Sequence, residues 1–241
     1  MNSFSAAWRV VEAAPMQEQL ELSAADGHRL AAYVAAPPST PRGGLVVVQE
    51  IFGVNSHIRG VADGFAADGY LAIAPALFDR VERGVDIGYS PEDIQRGRAL
   101  KEASTADKAM LDIRAAMALA QSRLGSAARI GIVGYCWGGL LSWLAACEVD
   151  ALAASVPYYG GGVPDHAARV PRCPVLAHFG ENDTLIPLAG VEALRRAHAG
   201  ITVQVYAAGH GFNCDQRGSY DAASATLARQ RTLAFLREHV G

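Results

Sequence analysis

The chain has 241 residues, 51% hydrophobic and 19% charged, with 21 basic side chains against 24 acidic and a formal net charge of −3. That apolar fraction supports a sizeable core and excludes a disordered chain. Basic residues form no run longer than two, which excludes the charged stripe that follows phosphates, so no nucleic-acid partner is expected.

In chain order, the N-terminal stretch carries Arg9 and Glu12 and has no continuous apolar core, so no signal peptide is expected. Residues 29–35 read as an extended segment ended by Pro37 and Pro38. Residues 45–48 form a β-branched run, and 71–74 a short buried strand closed by Pro75. Met110, Ile113, Met117, Ala120 and Leu124 lie on one helical stripe, which Gly125 is placed to end. A strand follows at 130–133, a helix at 140–146 behind a glycine pair, and strands at 151–156 and 174–179. The spacing then predicts a helix over 188–198 behind Pro187, a strand over 201–206 and a closing helix over 220–240.

The longest uncharged stretch, 130–147, touches the length of a membrane span. Gly131, Gly134, Gly138 and Gly139 interrupt it, and a buried strand, turn and helix explain it better, so no membrane partner is expected. Four cysteines, Cys136, Cys147, Cys173 and Cys214, in a chain this long make no disulfide framework, and the lack of a C-x-x-C pair argues against structural zinc and a thioredoxin-type redox pair. A reduced, cytoplasmic protein is the expectation.

Continuous apolar strands alternating with helices predict an α/β fold, a mostly parallel central sheet with helices on both faces. No linker or repeat divides the chain, so one domain over 1–241 is expected, with residues 1 to about 28 left without assigned structure. Function in such a sheet gathers at the loops after the carboxyl ends of the strands.

The strongest chemical signal is Gly134-Tyr135-Cys136-Trp137-Gly138-Gly139, directly after a strand and before an apolar helix. It is a G-x-nucleophile-x-G pattern with cysteine at the centre. Reversal from strand to helix there strains the central residue and lifts its side chain above the sheet, at the positive end of the helix. A nucleophile so placed needs an acid and then a histidine on later loops. Asp183 follows the strand at 174–179, and His210 follows the strand at 201–206 between Gly209 and Gly211. His178, inside a strand, reads instead as a satisfied core histidine.

Together with Gln49-Glu50-Ile51-Phe52-Gly53-Val54-Asn55 and Tyr158-Tyr159-Gly160, these motifs resemble the dienelactone hydrolase (carboxymethylenebutenolidase) family of the α/β-hydrolase superfamily. The resemblance runs from about Arg29 to the C-terminal helix, with the motifs in the same order. It implies a Cys136–His210–Asp183 triad that hydrolyses a lactone or carboxylic ester, a small-molecule substrate. Glu50 would pair with the resting thiol and take its proton when substrate binds. The N–H groups of Ile51 and Trp137 would form the oxyanion hole. Neither metal nor organic cofactor is called for.

The family binds an anionic lactone with two arginines. Arg80 matches one, whereas Cys214 stands at the position of the second. Arg217, three residues on, is a replacement if it reaches the site. Phe52, Tyr89, Tyr159 and Phe212 are candidates for an apolar acyl pocket. The Cys214 departure leaves open an esterase or thioesterase with a different acyl substrate, and four thiols leave open a non-catalytic thiol-sensing or ligand-binding member. Monomer and homodimer are equally compatible with the sequence.

Overall fold

A computed structural model describes residues 15–241; the reading of Arg9 and Glu12 lies outside the described residues. In chain order come β1 (Met16–Ser23), β2 (Arg29–Ala36), β3 (Gly44–Val48), α1 (Ser56–Ala67), β4 (Leu71–Pro75), α2 (Pro91–Ala103) and α3 (Ala106–Leu124). Then follow β5 (Ile130–Tyr135), α4 (Trp137–Glu148), β6 (Ala154–Tyr158), β7 (Leu176–Gly180), α5 (Leu188–Ala197), β8 (Thr202–Tyr206) and α6 (Ala222–His239). The strands form one eight-stranded sheet in the order β1-β2-β4-β3-β5-β6-β7-β8. Only β2 runs against its neighbours, and every pairing from β4 to β8 is parallel. The mostly parallel sheet expected from the sequence is present.

Every residue of β3 and β5 is buried, and successive side chains point to opposite faces, so both faces of the sheet centre are covered. The β-branched runs that identified these strands are therefore the core itself. Helix starts have visible causes. Asn55 accepts from the Ile58 N–H, Ser90 and Asp93 form a reciprocal capping box, and Thr105 and Asp221 cap α3 and α6. Helices α4 and α5 have no side-chain cap; α4 starts directly behind Cys136. Its boundary lies three residues ahead of the expected one, because the glycine pair belongs to its first turn.

The strand expected at 151–156 is displaced to Ala154–Tyr158. Its register with β5, from Gly131 opposite Ala154 to Tyr135 opposite Tyr158, carries Tyr158 to the same edge as Tyr135. Glu50, Cys136, Asp183 and His210 all lie just past the carboxyl ends of β3, β5, β7 and β8. Among the described residues no helix is long and apolar enough to cross a membrane.

Candidate active site

Cys136 joins β5 to α4 with φ 54° and ψ −113°, a conformation that L-residues rarely adopt and that costs on the order of 1–3 kcal/mol. Its N–H is held by the Tyr158 carbonyl (3.0 Å), and its carbonyl by the Gly139 N–H (3.0 Å). The turn closes only because its flanks lack side chains. A Cβ on Gly134 would stand 1.9 Å from the Gly138 carbonyl oxygen, and one on Gly138 would stand 2.4 Å from that of Val48. The sequence motif is thus a packing requirement that leaves a sulfur at the head of a helix.

The three distant residues named from the sequence converge. Cys136 Sγ lies 3.1 Å from His210 Nε2, and His210 Nδ1 lies 2.8 Å from Asp183 Oδ2. The other Asp183 oxygen accepts the Leu185 N–H at 2.8 Å, so the wholly buried carboxylate is fixed from two sides. Burial works against a charged His210 ring. Its hydrogen bonds to Asp183 and Cys136, and their charges, more than offset this and push the pKa up to about 10. The ring rests edge-on against Tyr159, with centroids 5.2 Å apart.

The N–H groups of Ile51 and Trp137 donate to no acceptor among the described residues; Trp137 opens α4, where an unpaired N–H is inherent. Gln49, which the sequence reading passed over, ties these two donors into one frame. Its carbonyl accepts the Gly138 N–H (3.1 Å), its Oε1 accepts the Leu77 N–H (3.1 Å), and its Nε2 donates to the Glu50 carbonyl (3.3 Å). A wholly buried amide ending an apolar strand is the signal that marks it.

Glu50 is 1% exposed. Its partner differs from the one the resemblance implies, since Cys136 Sγ is bonded to His210 and Glu50 Oε1 meets Arg217 Nη1 at 3.3 Å. Glu50 Oε2 has no partner among the described residues. Arg217 therefore does reach this region. Its guanidinium lies over the rings of Phe52 and Tyr89, at 5.6 and 5.9 Å. The left-handed Gly211 (φ 79°) makes room for it, as a Cβ there would sit 2.4 Å from Arg217 Nη1.

Two groups of expected substrate contacts are engaged by other partners. Arg80 bonds Asp112 through Nε and Nη2 (2.7 and 2.8 Å) and Asp26 through Nη1 and Nη2 (2.9 and 3.1 Å). The Asp112 side chain is wholly buried and requires a cation, so Arg80 is committed to the fold. Phe52, Tyr159 and Phe212 are each at most 1% exposed. Strand-end aromatics here pack beneath the site, Phe212 against Tyr206 and Tyr159, and offer no open wall.

A cysteine raised on the strand-to-helix elbow of such a sheet, with an acid and then a histidine presented by later loops, places the chain among the α/β-hydrolases. Comparison with known proteins narrows the class. The profile of the Dienelactone hydrolase family matches residues 30–240. A relative in Synechocystis named "Putative carboxymethylenebutenolidase" is 37% identical over 220 residues, covering 84% of this chain and 89% of its own. The carboxymethylenebutenolidase of Pseudomonas putida is 33% identical over 230 residues, 92% of this chain and 96% of its own. A Klebsiella pneumoniae crystal structure titled "Putative Dienelactone Hydrolase" superposes with a TM-score of 0.82 at 33% identity, covering 93% of this chain and all of that one. The chain belongs to the dienelactone hydrolase family, and with it to the hydrolases.

Proposed function

We propose that this chain hydrolyses a small lactone or carboxylic ester by nucleophilic catalysis from Cys136. The observation that carries the proposal is the continuous relay from sulfur through imidazole to carboxylate, with links of 3.1 and 2.8 Å, beside two unpaired N–H groups. Cys136 attacks the acyl carbon, and the N–H groups of Ile51 and Trp137 receive the oxyanion. His210, kept protonated at rest by its raised pKa, gives that proton to the departing alkoxide, and the acyl group stays on sulfur as a thioester. His210 then takes a proton from water, which attacks that thioester, and the leaving thiolate recovers its proton from Glu50. Asp183 holds the imidazole tautomer throughout.

Glu50 acts on the resting thiol, and Arg217 sets when. A substrate carboxylate that claims Arg217 releases Glu50 from its ion pair, and the freed carboxylate takes the Cys136 proton. A second reading, a neutral ester or thioester substrate, is favoured by the commitment of Arg80 to Asp26 and Asp112, which leaves one arginine where the family uses two. The four free cysteines fit a reducing compartment, and we place the protein, as a single catalytic domain, in the cytoplasm.

The test is steady-state turnover of dienelactone and of neutral aryl esters by the wild type and by Cys136→Ala, His210→Ala and Arg217→Ala. The first two variants are expected to lose at least ~10³-fold in kcat on every substrate. Arg217→Ala is expected to raise KM for the anionic lactone while sparing the neutral esters. Wild-type turnover in Cys136→Ala or His210→Ala overturns the proposal; equal effects of Arg217→Ala on both substrate types favour the second reading.

A further inference from the structure

Glu50 also belongs to a second cluster, whose other two members the proposed hydrolysis does not use. Glu50, His57 and Cys214 are all buried, and one donor atom from each lies within 4.8 Å of the others. Glu50 Oε2 and His57 Nε2 are buried polar atoms with no partner among the described residues, though both side chains are at least nine-tenths buried. Two unpaired polar atoms in one buried pocket are costly, and an occupant bonding both relieves the cost.

We propose that Glu50 Oε2, His57 Nε2 and Cys214 Sγ form a binding site for a thiophilic divalent cation of the Zn²⁺ class. The donor set is one carboxylate, one imidazole and one thiolate, each an ordinary zinc ligand, with the fourth tetrahedral position left to water. Tetrahedral zinc with bonds of 2.0–2.3 Å separates its ligands by roughly 3.3–3.8 Å, so rotamer shifts of about an ångström close the site.

The surrounding groups orient these donors. His57 Nδ1 lies 3.2 Å from Asp215 Oδ1; when Nδ1–H donates there, the Nε2 lone pair is turned into the cluster, the carboxylate–histidine–metal arrangement. Arg217 occupies Glu50 Oε1 and leaves Oε2 for the ion. The Tyr89 hydroxyl, which accepts from Asn55 Nδ2 (3.0 Å), hydrogen-bonds Cys214. Charges balance, because Zn²⁺ meets the Glu50 carboxylate and the Cys214 thiolate, the thiol proton passing to buffer.

His57 and Asp215 line a cavity of ≈ 500 Å³ that opens to the surface and that Cys136, Asp183 and His210 do not line; Glu50 and Cys214 do not line it either, so an ion would enter past the His57 ring. Cys136 and Asp183 are bonded to opposite nitrogens of one ring, so the triad cannot itself offer three donors to one ion. Binding stands apart from the proposed activity. Its consequence rests on that reading: a Glu50 held by metal cannot take the Cys136 proton, so the cation inhibits.

Binding is measured on the whole protein with Zn²⁺ by calorimetry and with Co²⁺ by its thiolate-to-metal absorption band. One ion per chain is expected in the wild type and in Cys136→Ala. The band is expected to vanish in Cys214→Ser. Asp215→Ala, whose side chain is 67% exposed and outside the core, is expected to bind ~10- to 100-fold more weakly. Undiminished binding in Cys214→Ser and Asp215→Ala, or loss of the band in Cys136→Ala, overturns the site. In the activity arm, Zn²⁺ is expected to slow ester turnover by the wild type at least tenfold and to spare Cys214→Ser. Full turnover with the site filled overturns the inhibitory role alone, whereas a protein that turns over no ester leaves the binding arm to decide the site.

Discussion

At the scale of single residues, function here depends on where backbone donors are held. Gln49 contacts no reacting atom in the proposed chemistry, yet its carbonyl holds the first turn of α4 while its side chain fixes the Glu50 carbonyl and the Leu77 N–H. Gln49→Ala removes two of these bonds and loosens one oxyanion donor against the other. The expected outcome is a fall of ~10- to 100-fold in kcat with KM little changed, since a wholly lost donor costs about 3 kcal/mol in the barrier. Steady-state kinetics on a neutral ester checks it. The meeting of Cys136, Asp183 and His210 was legible in the sequence because each follows a strand end with a glycine within three residues. Arg217 was only a candidate, because no local pattern says that a side chain folds back six residues to pack on Gly211. Arg80 looked eligible because the sequence does not reveal that Asp26 and Asp112, far along the chain, would claim it.

Among the elements, those that escaped the sequence reading carry weak local signals. Strand β1 is an edge strand, mostly exposed, with charges at Glu18 and Glu21. Helix α1 carries Gly60 and Gly64 beside its buried stripe of Ile58, Ala62 and Phe65, which lowers its helix propensity, and α2 buries only Gly97 and Leu100. Such a polar helix depends on its start. Ser90→Ala, which breaks the capping box, is expected to cost about 1 kcal/mol, read as a lower urea midpoint at unchanged m-value. Helix α4 shows the opposite priority. It gives up a side-chain cap so that its unpaired first N–H and its positive end face the Cys136 position.

Across the whole molecule, two buried histidines bend the pH–stability profile in opposite directions. Burial, with the charge of Arg231 adding to it, holds the His178 pKa down to about 3, and its ring is bonded to Tyr206 and Thr232. The unfolded chain binds a proton near pH 6.5 that the folded state refuses. Stability is therefore complete above about 6.5 and drains as pH falls toward 3. His210, raised to about 10, contributes stability that is present below about 6.5 and lost as pH rises through 10. His178→Gln is expected to flatten the acid limb only, seen as urea midpoints that fall less between pH 7 and pH 4 than those of the wild type. An unchanged acid slope contradicts it. The architecture itself was readable at this scale, since a two-sided sheet needs continuous apolar strands. The reversed β2 was not, because its direction is set by pairing with β1 and β4 and leaves no mark in its composition.

The covalent step is open to direct observation. When turnover of an activated aryl acetate is quenched in acid and the protein digested, mass spectrometry is expected to find the acetyl group on the peptide carrying Cys136, and to find none in Cys136→Ala. An acetyl group on any other residue, or Cys136→Ala turning the ester over at the wild-type rate, contradicts the assignment of Cys136 as the nucleophile.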